Sequence, residues 1–251
     1  MTDQVPGAET FISHLIELRD RLVKAAAGIA IFCIALMIWP GPAAIYDFIA
    51  HPMIAALPAG SKMIATGVIA PFMVPVKLTL MLAIILALPW VFYQVWAFIA
   101  PGLYTHEKRL VLPLVISSSV LFMCGVAFCY FLVFGRVFHF IGEFAPTSIA
   151  VTPDIENYLD FVMSMCLAFG GTFEVPVVVV ILVRMGIVSV AKLKEVRSYV
   201  IVGAFTIAAI ITPPDLVSML ALAIPMCLLF ELGLFVAPMF VKATQAPEEP
   251  A

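Results

Sequence analysis

Leu110–Phe138 reads LVLPLVISSSVLFMCGVAFCYFLVFGRVF, with Arg136 as its one charged residue. The run is continuously apolar and lacks the period-two alternation of a half-buried strand. At about 1.5 Å per residue, a helix over it is about 44 Å long. About twenty apolar residues suffice to cross roughly 30 Å of hydrocarbon, so this stretch alone predicts a membrane span with length to spare. The strands of an outer-membrane barrel are about ten residues long and alternate, which this run does not.

The same ruler predicts six spans, near 22–39, 76–98, 110–138, 156–184, 198–212 and 215–237. The expected fold class is therefore an all-α polytopic membrane protein with six transmembrane helices, the whole of 1–251 forming one integral membrane domain. The last two spans are short. A helix over 198–212 is about 22 Å long, and Pro213-Pro214 blocks its extension before Asp215 opens span six. That pair should form a shallow hairpin that thins the bilayer or recruits a neighbour. Residues 40–75, cut by Pro40, Pro42, Pro52, Pro58, Pro71 and Pro75, are expected as short helices at the outer interface. Thr152, Pro153, Asp154 and Glu156 predict the start of span four, with Thr152 supplying a capping hydroxyl and Pro153 at the first helical position. Residues 1–9 and 243–251 read as disordered tails.

Composition agrees with the span count. The 251 residues are 64% hydrophobic and 12% charged, against roughly 45–50% and about 25% in soluble domains. A soluble domain, a disordered chain and a disulfide-stapled scaffold are excluded by those values. A net charge of −3 offers no basic surface for nucleic acid. Cys33, Cys124, Cys129, Cys166 and Cys227 lie in apolar runs without CxxC spacing and read as packing residues. Asp3 and Glu9 precede the first Arg, and no small-residue cleavage site follows the first apolar run, which argues against a cleaved signal peptide.

Basic residues set orientation, because Lys and Arg flanks stay cytoplasmic. Placing both termini inside puts Arg19, Arg21, Lys24, Lys108, Arg109, Arg184, Lys192, Lys194, Arg197 and Lys242 on the cytoplasmic side, leaving Lys62, Lys77 and Arg136 opposite. Both termini are therefore expected in the cytoplasm.

Several polar residues stand out against this background. Thr10–Leu22 is amphipathic, with Phe11, Leu15, Leu18 and Leu22 on one stripe and Glu17, Asp20, Arg21 and Lys24 on the other. On the residues alone, Glu17 pairs with Arg21 and Asp20 with Lys24 at i, i+4, a solvated helix face. Glu107 follows an aromatic cluster of Trp90, Phe92, Tyr93 and Trp96 and lies beside Lys108 and Arg109; Phe98 reads as a further belt aromatic. Glu174 in GGTFEVP differs in kind, because it falls inside span four, where an ionised carboxylate costs at least a few kcal/mol. Pro176 frees the Thr172 carbonyl, and Gly170-Gly171 permits close helix approach. Asp215 is placed to cap span six, and Glu231 near its end to snorkel or pair with a loop cation. No HExxH, GxSxG or nucleotide loop occurs, and His14, His51, His106 and His139 are scattered, so neither an enzyme, a metal site nor a cofactor is expected.

Taken together, HLIELRDRL at 14–22, FIAPGLYTHEKR at 98–109, FEVP at 173–176 and TPPD at 212–215 resemble the TatC family, the multispanning receptor subunit of the twin-arginine protein translocase. The resemblance implies a receptor and scaffold in the bacterial inner membrane. It would bind twin-arginine signal peptides of folded proteins, assemble with TatB, TatA and further copies of itself, and export cargo on the proton-motive force. It implies signal-peptide binding by Glu17, Arg19, Phe98 and Glu107. Carboxylates hold a planar guanidinium in fork geometry that a Lys ammonium cannot match. Arg19 would orient Glu17 or Glu107, and Phe98 would pack the apolar residue following the arginine pair. Glu174 and Asp215 would form intramembrane polar or partner sites; Pro52, Met63 and Tyr130 match the family on the outer half. Gly67 replaces a common Asp, and Met219 replaces a common Gln one turn into span six. The alternative is a proton-coupled transporter of a small solute with Glu174 at its centre.

Overall fold

The structure, a computed structural model, describes residues 6–56, 63–99, 111–144, 152–212 and 215–241. These residues are helical almost throughout: α1 (Pro6–Ile38), α2 (Pro42–Ala56), α3 (Ala70–Ile99), α4 (Val111–Phe128), a π-helical turn (Cys129–Val133), α5 (Phe134–Phe144), α6 (Ile155–Phe173), α7 (Val175–Arg184), α8 (Val190–Glu195), α9 (Arg197–Ile211) and α10 (Leu216–Val241). Five stretches are long and apolar enough to cross a membrane: Ile12–Ile38, Ala70–Ile99, Val111–Phe140, Ile155–Arg184 and Leu216–Met239. Arg197–Ile211 is apolar but shorter. The helices follow from the solvent: inside hydrocarbon each backbone N–H and C=O must be bonded within its own segment. Helix α1 starts at Pro6, within the stretch expected as a tail, and runs without a break from the amphipathic segment into the span.

The chain divides into two compact units, one of residues up to Ile45 with Val76–Ser119, the other of Tyr46–Pro75 with residues from Val120 on. In the first unit α1 and α3 run antiparallel and touch at Gly28, where a Cβ would run into the Trp90 indole. The Trp90 Nε1–H donates to the Lys24 carbonyl at 2.8 Å, so the indole donor is satisfied across the two helices. Gly41, at φ 93°, turns the chain out of α1, a conformation that favours glycine.

In the second unit α4 and α6 approach at two glycines. A Cβ on Gly125 would strike the Phe169 carbonyl, and one on Gly170 the Phe122 ring, whereas Gly171 faces open space. Of the glycine pair in GGTFEVP, then, only Gly170 makes the close contact. Phe134, fully buried, lies 5.6 Å from Phe138 and 5.7 Å from Phe161, giving this unit an aromatic core. Span four breaks between α6 and α7 at Glu174, where Pro176 has no N–H to return to Thr172. Helix α7 packs on α10, with Gly233 against Pro176 and Val179, and Val179, Val183, Leu193, Phe230, Leu234 and Ala237 form a buried cluster.

The 40–75 segment differs from expectation, since its described part holds one 15-residue helix, α2, rather than several short ones. Pro42 begins it, and Pro52 sits inside without ending it. The reason is local. Pro52 leaves the Phe48 carbonyl without its helical donor, and the Tyr130 hydroxyl donates to that carbonyl at 2.6 Å while its ring stacks on Phe48 at 5.4 Å. Tyr130 stands on the π turn, whose wider winding, closed by Phe134 N–H on the Cys129 carbonyl, changes the direction in which successive side chains leave the helix. Tyr158 of α6 makes a second hydroxyl bond, to the Ile49 carbonyl at 2.8 Å.

The chain entering α3 is stapled to the start of α6. Ile64 N–H donates to the Pro153 carbonyl at 3.0 Å, and Ile155 N–H to the Ile64 carbonyl at 2.9 Å. The cap of α6 is Asp154, not Thr152: its Oδ1 accepts from Glu156 N–H at 2.9 Å and Asn157 N–H at 3.1 Å. Its Oδ2 accepts from the Thr66 hydroxyl at 2.7 Å and the Thr66 N–H at 3.0 Å. A carboxylate outcompetes a hydroxyl here because it can accept on both oxygens and sits at the positive end of the helix. These bonds, the Thr66 hydroxyl foremost, hold the Asp154 carboxyl below the ordinary carboxylate range. Gly67 faces the same place, a Cβ there lying 3.1 Å from Glu156 Oε2. An Asp at 67 would bring a second carboxylate beside Glu156.

Two predictions follow from these contacts. Tyr130→Phe should cost about 1–3 kcal/mol, the range for a carbonyl left unsatisfied. In a Pro52→Ala background, where residue 52 regains its N–H, the same change should cost about half as much or less, read from the thermal unfolding of all four proteins. Because folding lowers the Asp154 pKa, its stabilisation is fully present above the ordinary carboxylate value and is lost as pH falls through the depressed one. Asp154→Asn should remove that acid dependence, measured as the difference in melting temperature between the two proteins from neutral pH to pH 3.

Candidate functional site

Three of the candidate positions, Glu17, Arg19 and Phe98, lie near the paired ends of α1 and α3 in the first unit. Glu17 and Arg21 are one turn apart on α1, and Arg21 Nη2 bonds Glu17 Oε1 at 3.2 Å. The same guanidinium reaches across to α3, with Nη1 donating to Gln94 Oε1 and Nη2 to the Ala97 carbonyl, both at 3.4 Å. Gln94 is buried, at 3% exposure. One side of the carboxylate is thus fixed through Arg21 to a second helix, while Glu17 stays about one-third exposed. Phe98 lies one turn beyond Gln94 and meets His14 edge-on, with ring centroids 6.2 Å apart.

Arg19 does not orient Glu17. Its guanidinium bonds Asp20 Oδ1 at 2.8 Å, with side-chain exposures of 71% and 52%. The expected Asp20–Lys24 pair is absent among the described residues. Each helical step turns about 100°, so Arg19, two positions on, points about 200° away from Glu17, whereas Arg21, one turn on, shares its face. Glu107 lies outside the described residues, so its relation to Glu17 rests on sequence alone.

The remaining candidates are distributed through the second unit. Pro52 and Tyr130 meet through the Phe48 carbonyl. Met63 is half-buried, one residue before the Ile64 staple. Glu174 occupies the junction of α6 and α7, half-buried, its N–H donating to the Gly171 carbonyl at 3.1 Å. Asp215 caps α10, its Oδ1 accepting from Ser218 N–H at 2.7 Å. Glu231 takes the second of its two expected roles and pairs with a cation. Arg197 grips it in fork geometry, Nε to Oε1 at 2.7 Å and Nη2 to Oε2 at 2.8 Å, tying α9 to α10. Met219, half-buried, brings no hydrogen-bonding group to α10.

Sequence reasoning passed over Gln94. The signal was available, since it is a lone amide among Trp90, Phe92, Tyr93, Val95 and Trp96, and a buried amide in an apolar helix needs a partner. What the sequence does not supply is which residue of α1 that partner is.

This arrangement can hold a cationic side chain: a carboxylate pre-set by a fixed neighbour, with an aromatic ring one turn away and no metal-binding cluster among the described residues. Comparisons with known proteins address the family to which the chain belongs. The family model described as "Sec-independent protein translocase protein (TatC)" matches residues 13–225. The chain is 48% identical over 233 residues to the Sec-independent protein translocase protein TatC of Haemophilus influenzae, covering 93% of this chain and 90% of that one. It is 47% identical over 245 residues to the protein of the same name in Escherichia coli K12, covering 98% and 94%. A crystal structure of the twin arginine translocase receptor TatC superimposes with a TM-score of 0.78 at 34% identity, covering 90% of this chain and 98% of that one. Five of the six expected spans are helices of membrane length among the described residues, the sixth being shorter, and the four motifs fall within the matched region; this chain belongs to the TatC family of Sec-independent protein translocase components.

Proposed function

We propose that this chain is the signal-peptide receptor and scaffold of a twin-arginine translocase in a bacterial inner membrane, working with TatB, TatA and further copies of itself on the proton-motive force. Both termini face the cytoplasm, and Arg197–Ile211 serves as a sixth, short span. Family membership supports the translocase role and displaces the small-solute transporter. The observation that carries the receptor reading is the state of Glu17: a partly shielded carboxylate, set by Arg21 and α3, at the end of the α1–α3 pair that the Lys and Arg distribution assigns to the cytoplasm.

A signal peptide arriving from the cytoplasm meets Glu17 on α1 and Glu107 in the loop that follows α3. Two carboxylates take the two guanidinium groups, each as a charge-assisted pair, and Phe98 offers an apolar surface one turn from Gln94. Arg19, exposed and paired with a neighbouring exposed acid, can change partners at small cost when the peptide binds. Glu174, at the break in span four, supplies a polar contact for partner helices or an inserted peptide, and the cap Asp215 holds the start of the last span.

Photo-crosslinking from positions flanking Glu17 to a precursor bearing Arg-Arg tests this reading. Glu17→Ala combined with Glu107→Ala should lower the crosslink yield by about a hundredfold, the effect of losing two charge-assisted pairs, while membrane insertion is retained. A yield equal to that of the parent would refute the carboxylate mechanism.

A further inference from the structure

Arg21 is the first guanidinium that Glu17 meets, and it belongs to the protein itself. It is held by three acceptors, Glu17 Oε1 at 3.2 Å, Gln94 Oε1 at 3.4 Å and the Ala97 carbonyl at 3.4 Å. Its side chain is 25% exposed, against 71% for Arg19 two residues earlier. Arg21 takes only one oxygen of the carboxylate, and Oε2 accepts no hydrogen bond among the described residues. A buried amide and a backbone carbonyl contribute to holding this cation, so it is anchored by α3 and not only by the acid it faces.

An anchored positive charge beside a carboxylate cancels most of the field that a second cation would feel. What remains at Oε2 is a directional acceptor with little net attraction. A Lys ammonium is compact and strongly hydrated, and leaves water only for a strong field. A guanidinium is more weakly hydrated and gains from directional bonds to a carboxylate oxygen and to neighbouring acceptors, so the loss of net attraction costs it less. Resting on the receptor reading above, we infer that Arg21, held by Gln94 and the Ala97 carbonyl, is a specificity-determining positioning residue: it discounts the charge of Glu17 so that the site selects arginine over lysine by geometry and hydration.

The test compares two synthetic signal peptides, one with Arg-Arg and one with Lys-Lys, binding to the full-length chain in lipid nanodiscs by fluorescence anisotropy. The readout is the ratio of their dissociation constants, which a purely structural role for Arg21 would not move. Arg21→Gln removes the charge but keeps a donor, and should collapse the ratio by about tenfold, chiefly through tighter binding of the Lys-Lys peptide. Arg21→Lys keeps the charge and should hold the ratio within about threefold of the parent. Should Arg21→Gln fail to insert, Gln94→Met, which removes one anchor at similar volume, should lower the ratio by about threefold. An unchanged ratio in Arg21→Gln, or in Gln94→Met where that variant stands in for it, would overturn the inference, as would equal weakening of both peptides. Failure of the parent chain to bind the Arg-Arg peptide, or retention of its full affinity in Glu17→Ala with Glu107→Ala, would instead overturn the receptor reading itself.

Discussion

A hydrocarbon layer offers no hydrogen bonds, and the rest of the structure is an answer to that one constraint. Backbone groups must be satisfied within the chain, which makes helices of the long apolar runs and turns every interruption into a place where a partner has to be supplied. Proline creates the interruptions. At Pro52 the stranded carbonyl of Phe48 is taken by the Tyr130 hydroxyl, and α2 continues as one helix. At Pro176 the Thr172 carbonyl is met by the main-chain N–H of Glu174: α6 ends, α7 begins, and Glu174 occupies the break. The same residue type therefore gives a continuous helix in one place and a broken span in the other, according to what lies alongside.

The helix ends obey the same rule with more exposure to water. Asp154 and Asp215 close the first turns of α6 and α10 through their carboxylates, and Ser189 does so for α8. Asp154 has the further task of holding Thr66, so that one side chain both starts a span and fixes the chain entering another. Among the described residues the best-formed charged pair between helices, Arg197 with Glu231, joins the short α9 to the long α10. A 15-residue helix buries few of its own side chains, with Ala204 and Ala208 the buried residues, so a fork-shaped ion pair at its start adds orientation that packing alone supplies weakly.

At the candidate site, chemistry and scaffold are not separable. Glu17 is a surface acid by position on α1, yet its carboxylate is governed by α3 through Arg21, whose other acceptors are a buried glutamine and a main-chain carbonyl. Arg19 and Asp20, one and two residues on from Leu18, make an exposed pair of the kind that contributes little to stability. Two arginines two residues apart in HLIELRDRL thus have unlike roles, one solvated and one structural, because helical geometry sends them to different faces.

Much of this was determined by the sequence itself. The all-helical membrane class follows from run length and continuity, since hydrophobic thickness is a ruler that any chain must meet. The Thr172 carbonyl freed by Pro176, the shortness of the apolar helix before Thr212 and the cap at Asp215 follow from residues whose backbone limits are local. Four motifs in order sufficed to reveal the family. Tertiary structure decided the rest, because a side chain's partner across helices depends on register between segments far apart in the chain. It gave Gln94 and the Ala97 carbonyl to Arg21, made Asp154 rather than Thr152 the cap, paired Pro52 with Tyr130, and set Gly170 rather than Gly171 against a ring. Each of those choices turns on a few ångströms and one turn of helix, distances that sequence spacing fixes within a helix but not between helices.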